Sequence, residues 1–157
     1  MLMANLKNAG FELCDDAALA DVAIVNTCGF IDSAKQESID EILELATLKK
    51  EGRIKKIVVT GCLAERYREE IHKELPEVDG VFGIADIAAC IESAMNDFTE
   101  SFPEKSKMPL CGERELSTPS YFAYIKIAEG CDNKCTYCAI PMIRGGYRSR
   151  PKADILA

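Results

Sequence analysis

No stretch of this sequence approaches the roughly 18 uninterrupted apolar residues that a membrane-spanning helix needs. Histidine occurs once, at His72. Basic charge is not in excess: 19 Lys/Arg stand against 26 Asp/Glu, a net charge of −7 over 157 residues. A global basic footprint for nucleic acid is therefore missing. Low-complexity tracts and solenoid-period repeats are absent as well. Met1 to Gly10 has no basic start followed by an apolar run and a small-residue cleavage site, so no secretory leader is expected. Aromatics are scarce at 7%, yet hydrophobic types reach 48%. With a mean hydropathy of −0.05, that balance excludes a disordered or collagenous chain. The expectation is a soluble, cytoplasmic, globular protein. Eight cysteines stand out against it. In a chain without an export signal they are read as reduced thiols or metal ligands rather than disulfides.

Charge divides the chain. From Tyr121 onward, Lys126, Lys134, Arg144, Arg148, Arg150 and Lys152 outnumber Glu129, Asp132 and Asp154, a balance of +3 that leaves −10 for the first 120 residues. An acidic unit thus precedes a basic one. The boundary falls in Phe98 to Ser120, which contains Pro103, Pro109 and Pro119 and little apolar periodicity; it reads as a linker.

Within the acidic unit, Val22–Val25 and Lys56–Thr60 are β-branched runs, each followed by a small-residue turn and a helix-period segment. Ser33 and Gln36 have capping-box spacing. Ile39, Ile42, Leu43 and Ala46 then repeat at helical intervals until Gly52. Ala64 to Glu74 reads as a helix stopped by Pro76, Val81 to Ile84 as a third strand, and Asp86 as the cap of a helix to about Asn96. Leu2, Leu6 and Ala9 form an amphipathic turn or two closed by Gly10. Strands alternating with helices predict an α/β fold, a mainly parallel sheet flanked by helices on both faces.

The most informative residues are Cys131, Cys135 and Cys138. Three thiols within eight positions can wrap one inorganic centre, because iron–sulfur clusters are held by cysteine thiolates at such short spacings. Three ligands on a four-iron cube leave one iron open, which separates a reactive cluster from a four-thiolate electron carrier. A four-ligand zinc or ferredoxin site is the plainer alternative; zinc sites favour paired Cys-x-x-Cys. Tyr121 to Ile127 alternates and reads as a strand, placing the thiols on the loop at its carboxyl end, the reactive rim of parallel α/β architectures. Cys28 and Cys62 each follow a strand, at Asn26-Thr27-Cys28-Gly29 and Thr60-Gly61-Cys62-Leu63. Neighbouring parallel strands would bring both thiols to one sheet edge, where Gly29 and Gly61 would let the backbone approach a bulky group closely. By themselves such cysteines are more often small buried hydrophobes.

The Cys131-x-x-x-Cys135-x-x-Cys138 pattern, with Tyr137 before the last thiol, resembles the signature of radical S-adenosylmethionine enzymes. Together with Asn26 to Ile39, Val58 to Ala64 and Ala139 to Arg150, it is similar to the methylthiotransferase family over nearly the whole chain. Cys28-Gly29-Phe30-Ile31 and Arg148-Ser149-Arg150 resemble the branch that modifies an aspartate of a small-subunit ribosomal protein; a sister branch acts on transfer RNA. The resemblance implies two 4Fe-4S clusters and S-adenosyl-L-methionine. One cluster would be held by Cys131, Cys135 and Cys138, with Tyr137 at the cofactor, and an auxiliary one by Cys28 and Cys62. It further implies a ribosomal protein substrate and an electron donor, with no membrane and no direct nucleic-acid contact indicated. It assigns no catalytic side chain.

That family carries a third auxiliary cysteine in a Gly-Cys-x-Lys-Asn segment after an opening strand, and the segment is missing here. Cys14 is the nearest replacement, in a stretch, Phe11 to Asp15, that reads as a different strand. The expected organisation is an amino-terminal domain over residues 1–97 lacking its first strand and left with an unpaired sheet edge. A linker follows over 98–120, then the first strand and cluster loop of a radical barrel over 121–157. A complete barrel needs about 200 residues, so the chain is read as a fragment that does not turn over alone. A cobalamin-dependent radical enzyme would need an Asp-x-His-x-x-Gly loop, which the surroundings of His72 do not provide. A non-catalytic iron–sulfur or zinc scaffold is the rival of a different class. Arg144, Arg148 and Arg150 are read as either carboxylate-binding forks or a solvated rim, His72 as an exposed helix residue, Cys90 as core packing and Cys111 as a free thiol.

Overall fold

A strand buried on both faces must be apolar almost throughout, and Ile57-Val58-Val59 meets that demand at the centre of a four-stranded sheet. The computed structural model describes residues 1–84, 86–97, 99–116 and 118–156; Phe98 and Ser117 of the expected linker, and the closing Ala157, lie outside the described residues. The strands are β1 (Val22–Thr27), β2 (Lys56–Gly61), β3 (Gly80–Phe82) and β4 (Glu100–Ser101), in the order β1-β2-β3-β4. All three pairings are parallel. The helices are α1 (Leu2–Asn8), α2 (Asp32–Lys50), α3 (Cys62–Arg66), α4 (Arg68–Glu74) and α5 (Ile87–Met95).

Alternation along the strands sends successive side chains to opposite faces, and each face has its own core. Ile57, Val59 and Val81 pack with Ile42, Leu45 and Ala46 of α2, Leu63 and Ala64 of α3 and Ile71 of α4. Val58 and Phe82 pack with Ala89 and Cys90 of α5, joined by Leu2, Val22 and Ile24. The predicted α/β sheet flanked by helices is the observed fold.

Polar side chains fasten the ends. Asp79 accepts hydrogen bonds from the Ile57 N–H (2.7 Å) and from Lys49 Nζ (2.6 Å). Lys56 Nζ donates to the carbonyls of Ser93 and Asn96, satisfying the carboxyl end of α5. Asp86 caps α5 by accepting from the Ala89 N–H at 2.9 Å, as its position predicts.

Several elements differ from the sequence reading. Helix α2 begins at Asp32, so Ser33 lies within the first turn and no side chain caps the helix. Gln36 donates to Asp40 instead, and the capping box does not form. The helix expected over Ala64 to Glu74 is two helices, broken at Tyr67 (φ −125°, ψ 38°). The Tyr67 ring lies beneath Lys35 and Arg66, at 5.3 and 5.0 Å. Phe11 to Asp15 is not a strand. β4 lies inside the segment read as linker. The Val81 and Gly83 N–H groups of the β3 edge donate to the carbonyls of Thr99 and Ser101, and Arg68 and His72 hold the Glu100 carboxylate.

The carboxyl-terminal unit departs furthest. Tyr121 to Ile127 forms no ladder, because no neighbouring strand completes its hydrogen bonds, and Tyr121, Phe122, Tyr124, Ile125 and Ile127 are exposed. Pairing is confined to β5 (Ala128–Glu129) and β6 (Arg148–Ser149), which are antiparallel. The parallel first strand expected of a barrel is thus replaced by a short hairpin-like pair around the cysteine loop, with α6 (Ile140–Arg144) between and α7 (Lys152–Leu156) after.

Candidate metal centre

The register of β1 on β2 decides where the first two cysteines stand. Thr27 is opposite Gly61, so Cys28 and Cys62, the next residue of each chain segment, lie side by side at the carboxyl edge of the sheet, as the strand order predicts. Three hydrogen bonds fix this corner. Thr27 Oγ1 donates to the Thr60 carbonyl (2.6 Å), the Cys28 N–H donates to Ser38 Oγ (3.1 Å), and Ser38 Oγ donates to the Ala34 carbonyl (2.9 Å). Arg66 adds a bond to the Gly29 carbonyl at 3.2 Å.

The backbone itself requires both glycines at this corner. A Cβ on Gly29 would lie 2.7 Å from the Cys62 carbonyl oxygen, and one on Gly61 (φ +103°) 2.4 Å from the Thr27 carbonyl oxygen. They bring the backbones of the two cysteine segments together.

Cys62 is buried and Cys28 half-buried. Burial pushes the Cys62 thiol above its ordinary value, and the charge and hydrogen bond of Arg144 only partly oppose it. Arg144 Nη2 lies 3.2 Å from Cys62 Sγ, and Nη1 donates to Glu129 at 3.0 Å. Glu129 is buried at 5% exposure and forms a second ion pair with Lys126. Burial alone would raise the Glu129 carboxyl, but the hydrogen bonds from Lys126 and Arg144 together hold it below the usual carboxylate value.

The same arginine docks the second cysteine group on the first. Helix α6 packs on α3; Lys105 pairs with Glu65 of α3 at 3.2 Å and donates to the Met142 carbonyl of α6. The loop of Cys131, Cys135 and Cys138 runs between β5 and α6. It is closed by the Cys131 N–H on the Gly145 carbonyl (3.1 Å) and the Cys138 N–H on the Cys135 carbonyl (3.2 Å). At Gly130 (φ +73°) a Cβ would lie 2.1 Å from the Gly146 carbonyl oxygen, so only glycine lets the two sides of the loop approach. Cys131 and Cys138 are half-buried, Cys135 is exposed, and Tyr137 is 91% exposed.

All eight cysteines are free thiols. Among the described residues, no three His, Cys, Asp or Glu side chains converge as a metal-holding group. The donor set nonetheless fits iron–sulfur chemistry: soft thiols at short spacing on one loop, and two more on adjacent strand ends. Cys14 is exposed, bonded to the Asp16 carbonyl. Cys90 is core, with its thiol pushed up to about 12 by burial. Cys111 is exposed near Asp154.

Sequence reasoning left out Glu129 and Ser38, and it named Arg144 without its contact to Cys62. Only Ser38 had a signal, its place ten residues after Cys28 on the α2 turns above the corner. Arg148 and Arg150 do not stand free on a rim: they donate to the carbonyls of Ser106, Met108, Lys126 and Asp154.

Residues 1–83 match the family described as Uncharacterized protein family UPF0004. The chain belongs to this family. The UPF0004 chain is 48% identical, over 99% of its length, to the "Ribosomal protein uS12 methylthiotransferase RimO" of Clostridioides difficile (strain 630), covering 36% of that protein. It is 48% identical to the proteins of the same name from Anaeromyxobacter sp. (strain K) and Acetivibrio thermocellus, over its full length and 34% and 37% of theirs. The chain thus spans about a third of the length of the curated relatives it matches. Among the described residues, no helix is long and apolar enough to cross a membrane.

Proposed function

We propose that this chain contributes the sheet domain and the cysteine loop of a radical S-adenosylmethionine methylthiotransferase that acts on ribosomal protein uS12 in the cytoplasm. On this reading Cys131, Cys135 and Cys138 hold one 4Fe-4S cluster, with S-adenosylmethionine near Tyr137, and Cys28 and Cys62 contribute to a second. The two-part organisation, a sheet domain and a cysteine-loop unit joined through residues 98–120, belongs to the same proposal. The observation that carries it is the juxtaposition of Cys28 and Cys62 at paired strand ends, with the cysteine-loop unit seated against Cys62 through Arg144. The names of the relatives support the substrate class.

When bound, the clusters and S-adenosylmethionine supply electron transfer and hydrogen abstraction from an unactivated carbon, chemistry that no side chain offers. The chain's own residues hold and orient. Ser38 fixes the backbone of Cys28, the glycine pair fixes the spacing of the two strand ends, and Gly130 shapes the turn from which Cys131 projects. Loops that carry metal ligands are commonly drawn together by the metal itself, which suits three thiols spread along one short loop. An electron donor is required as partner; the acidic first 120 residues offer no footprint for nucleic acid.

The test uses the complete protein of the relatives' length, anaerobically reconstituted and supplied with S-adenosylmethionine, reductant and sulfide. Incubated with recombinant uS12, it should add one methylthio group to an aspartate, seen by mass spectrometry. Modification of transfer RNA in place of uS12 would move the assignment to the sister branch. Cofactor-independent zinc binding would replace it with a scaffold.

A further inference from the structure

Arg144 is the point at which the two cysteine groups meet. Its guanidinium reaches three segments far apart in the chain: Glu129 before Cys131, Cys62 at the start of α3, and the ring of Phe30, 5.7 Å away and two residues beyond Cys28. The neighbouring arginines differ. The hydrogen bonds that Arg148 and Arg150 donate go to backbone carbonyls, as those of structural straps do. Arg144 directs one nitrogen at a thiol sulfur, although a guanidinium has five donors and the Glu129 carboxylate is also paired with Lys126. Cys62 is only 4% exposed, so its sulfur is sheltered from water.

A metal-bound thiolate keeps lone pairs that accept hydrogen bonds. Donors to cluster sulfurs, and positive charge nearby, withdraw electron density and favour the reduced state. We propose that Arg144 is a tuning and positioning residue of the Cys28/Cys62 centre: its N–H donation to the Cys62 sulfur raises the reduction potential of the metal group held there, while Glu129 tethers it to the cysteine loop. This rests on the reading that Cys28 and Cys62 hold an iron–sulfur group.

The experiment isolates that centre in the 157-residue chain carrying C131A, C135A and C138A, loaded anaerobically with iron and sulfide. Iron per chain is measured with and without C28A and C62A, and the reduced fraction is followed by electron paramagnetic resonance at fixed potential. R144M is expected to retain the iron and lower the reduced-to-oxidised ratio about tenfold, ~59 mV for one electron. R144K, which keeps the charge and an N–H donor, should recover most of that change. Iron retained with an unchanged ratio in R144M overturns the tuning role and leaves the site reading standing. Iron that does not depend on Cys28 and Cys62 overturns the site reading and the proposal with it. Should R144M take up no iron, R144Q, which keeps a donor and loses the charge, carries the same comparison.

Discussion

Between Leu2 and Phe102 the chain hides two apolar layers on either face of a sheet, with Ile42, Ile57, Val58, Val59, Val81, Phe82 and Cys90 wholly inaccessible. From residue 109 onward, only Glu129 and Ile143 are buried among the described residues. The first region is held by burial, at roughly 25 cal/mol per Å2 of apolar surface. The second is held by polar straps: Arg144 to Glu129 and Cys62, Arg148 to Ser106 and Met108, and Lys105 to Glu65 and Met142. The difference teaches how a rigid platform can position a pliant cysteine loop. The sheet edge fixes Cys28 and Cys62, and the loop of Cys131, Cys135 and Cys138 is fastened to that edge by a few directional bonds. Such bonds are worth about 0.5–3 kcal/mol each, so local opening of the loop should precede global unfolding.

The comparison can be broken most severely at its apolar side. Ile57→Ala removes a side chain at 0% exposure and should cost about 2–5 kcal/mol in chemical denaturation, with loss of structure in both regions, because the straps have nothing left to grip. Gly130→Ala should act only on the second region. The new Cβ meets the Gly146 carbonyl at a positive φ, a conformation costing an L-residue about 1–2 kcal/mol before the clash. Hydrogen exchange should quicken by at least about tenfold over residues 126–150, with the sheet amides unchanged. Asp86→Ala, which deletes the α5 cap, should lower global stability by about 1 kcal/mol; an effect confined to the carboxyl-terminal unit would contradict the division drawn here.

The smallest perturbation is chemical labelling. Exposed Cys14, Cys111 and Cys135 should alkylate first. Cys90 should resist even at pH 9, since burial holds its thiol up to about 12. The sign follows: a thiol whose native value exceeds the unfolded one stabilises the fold below the unfolded value, near 8.5, and that contribution is lost as pH rises toward 12. Mass-spectrometric labelling against pH checks both statements.

How much of this was legible in the sequence follows the same division. The β-branched runs, Gly52 and the Asp86 cap state their structures locally, and two strands followed by cysteines suffice to place Cys28 beside Cys62. The break at Tyr67 was not legible, because it depends on a ring seated under Lys35 and Arg66. The strand expected over Tyr121 to Ile127 has the right alternation, but alternation specifies a strand only where a partner supplies the ladder. β4 was missed for the opposite reason: Glu100–Ser101 has no β propensity and is a strand only because the β3 edge needs acceptors. Arg144 was visible as a residue but not as a contact. Its partners Glu129 and Cys62 are 15 and 82 positions away, and no spacing rule links them.

The most direct measurement of the account is the spectrum of the 157-residue chain after anaerobic loading with iron and sulfide, recorded before and after S-adenosylmethionine is added. A cluster signal with a component that the added cofactor perturbs, that component disappearing with C131A, C135A or C138A but persisting in the C28A C62A chain, is the predicted result. A signal indifferent to S-adenosylmethionine, or a response to S-adenosylmethionine that survives loss of all three loop thiols, would contradict it.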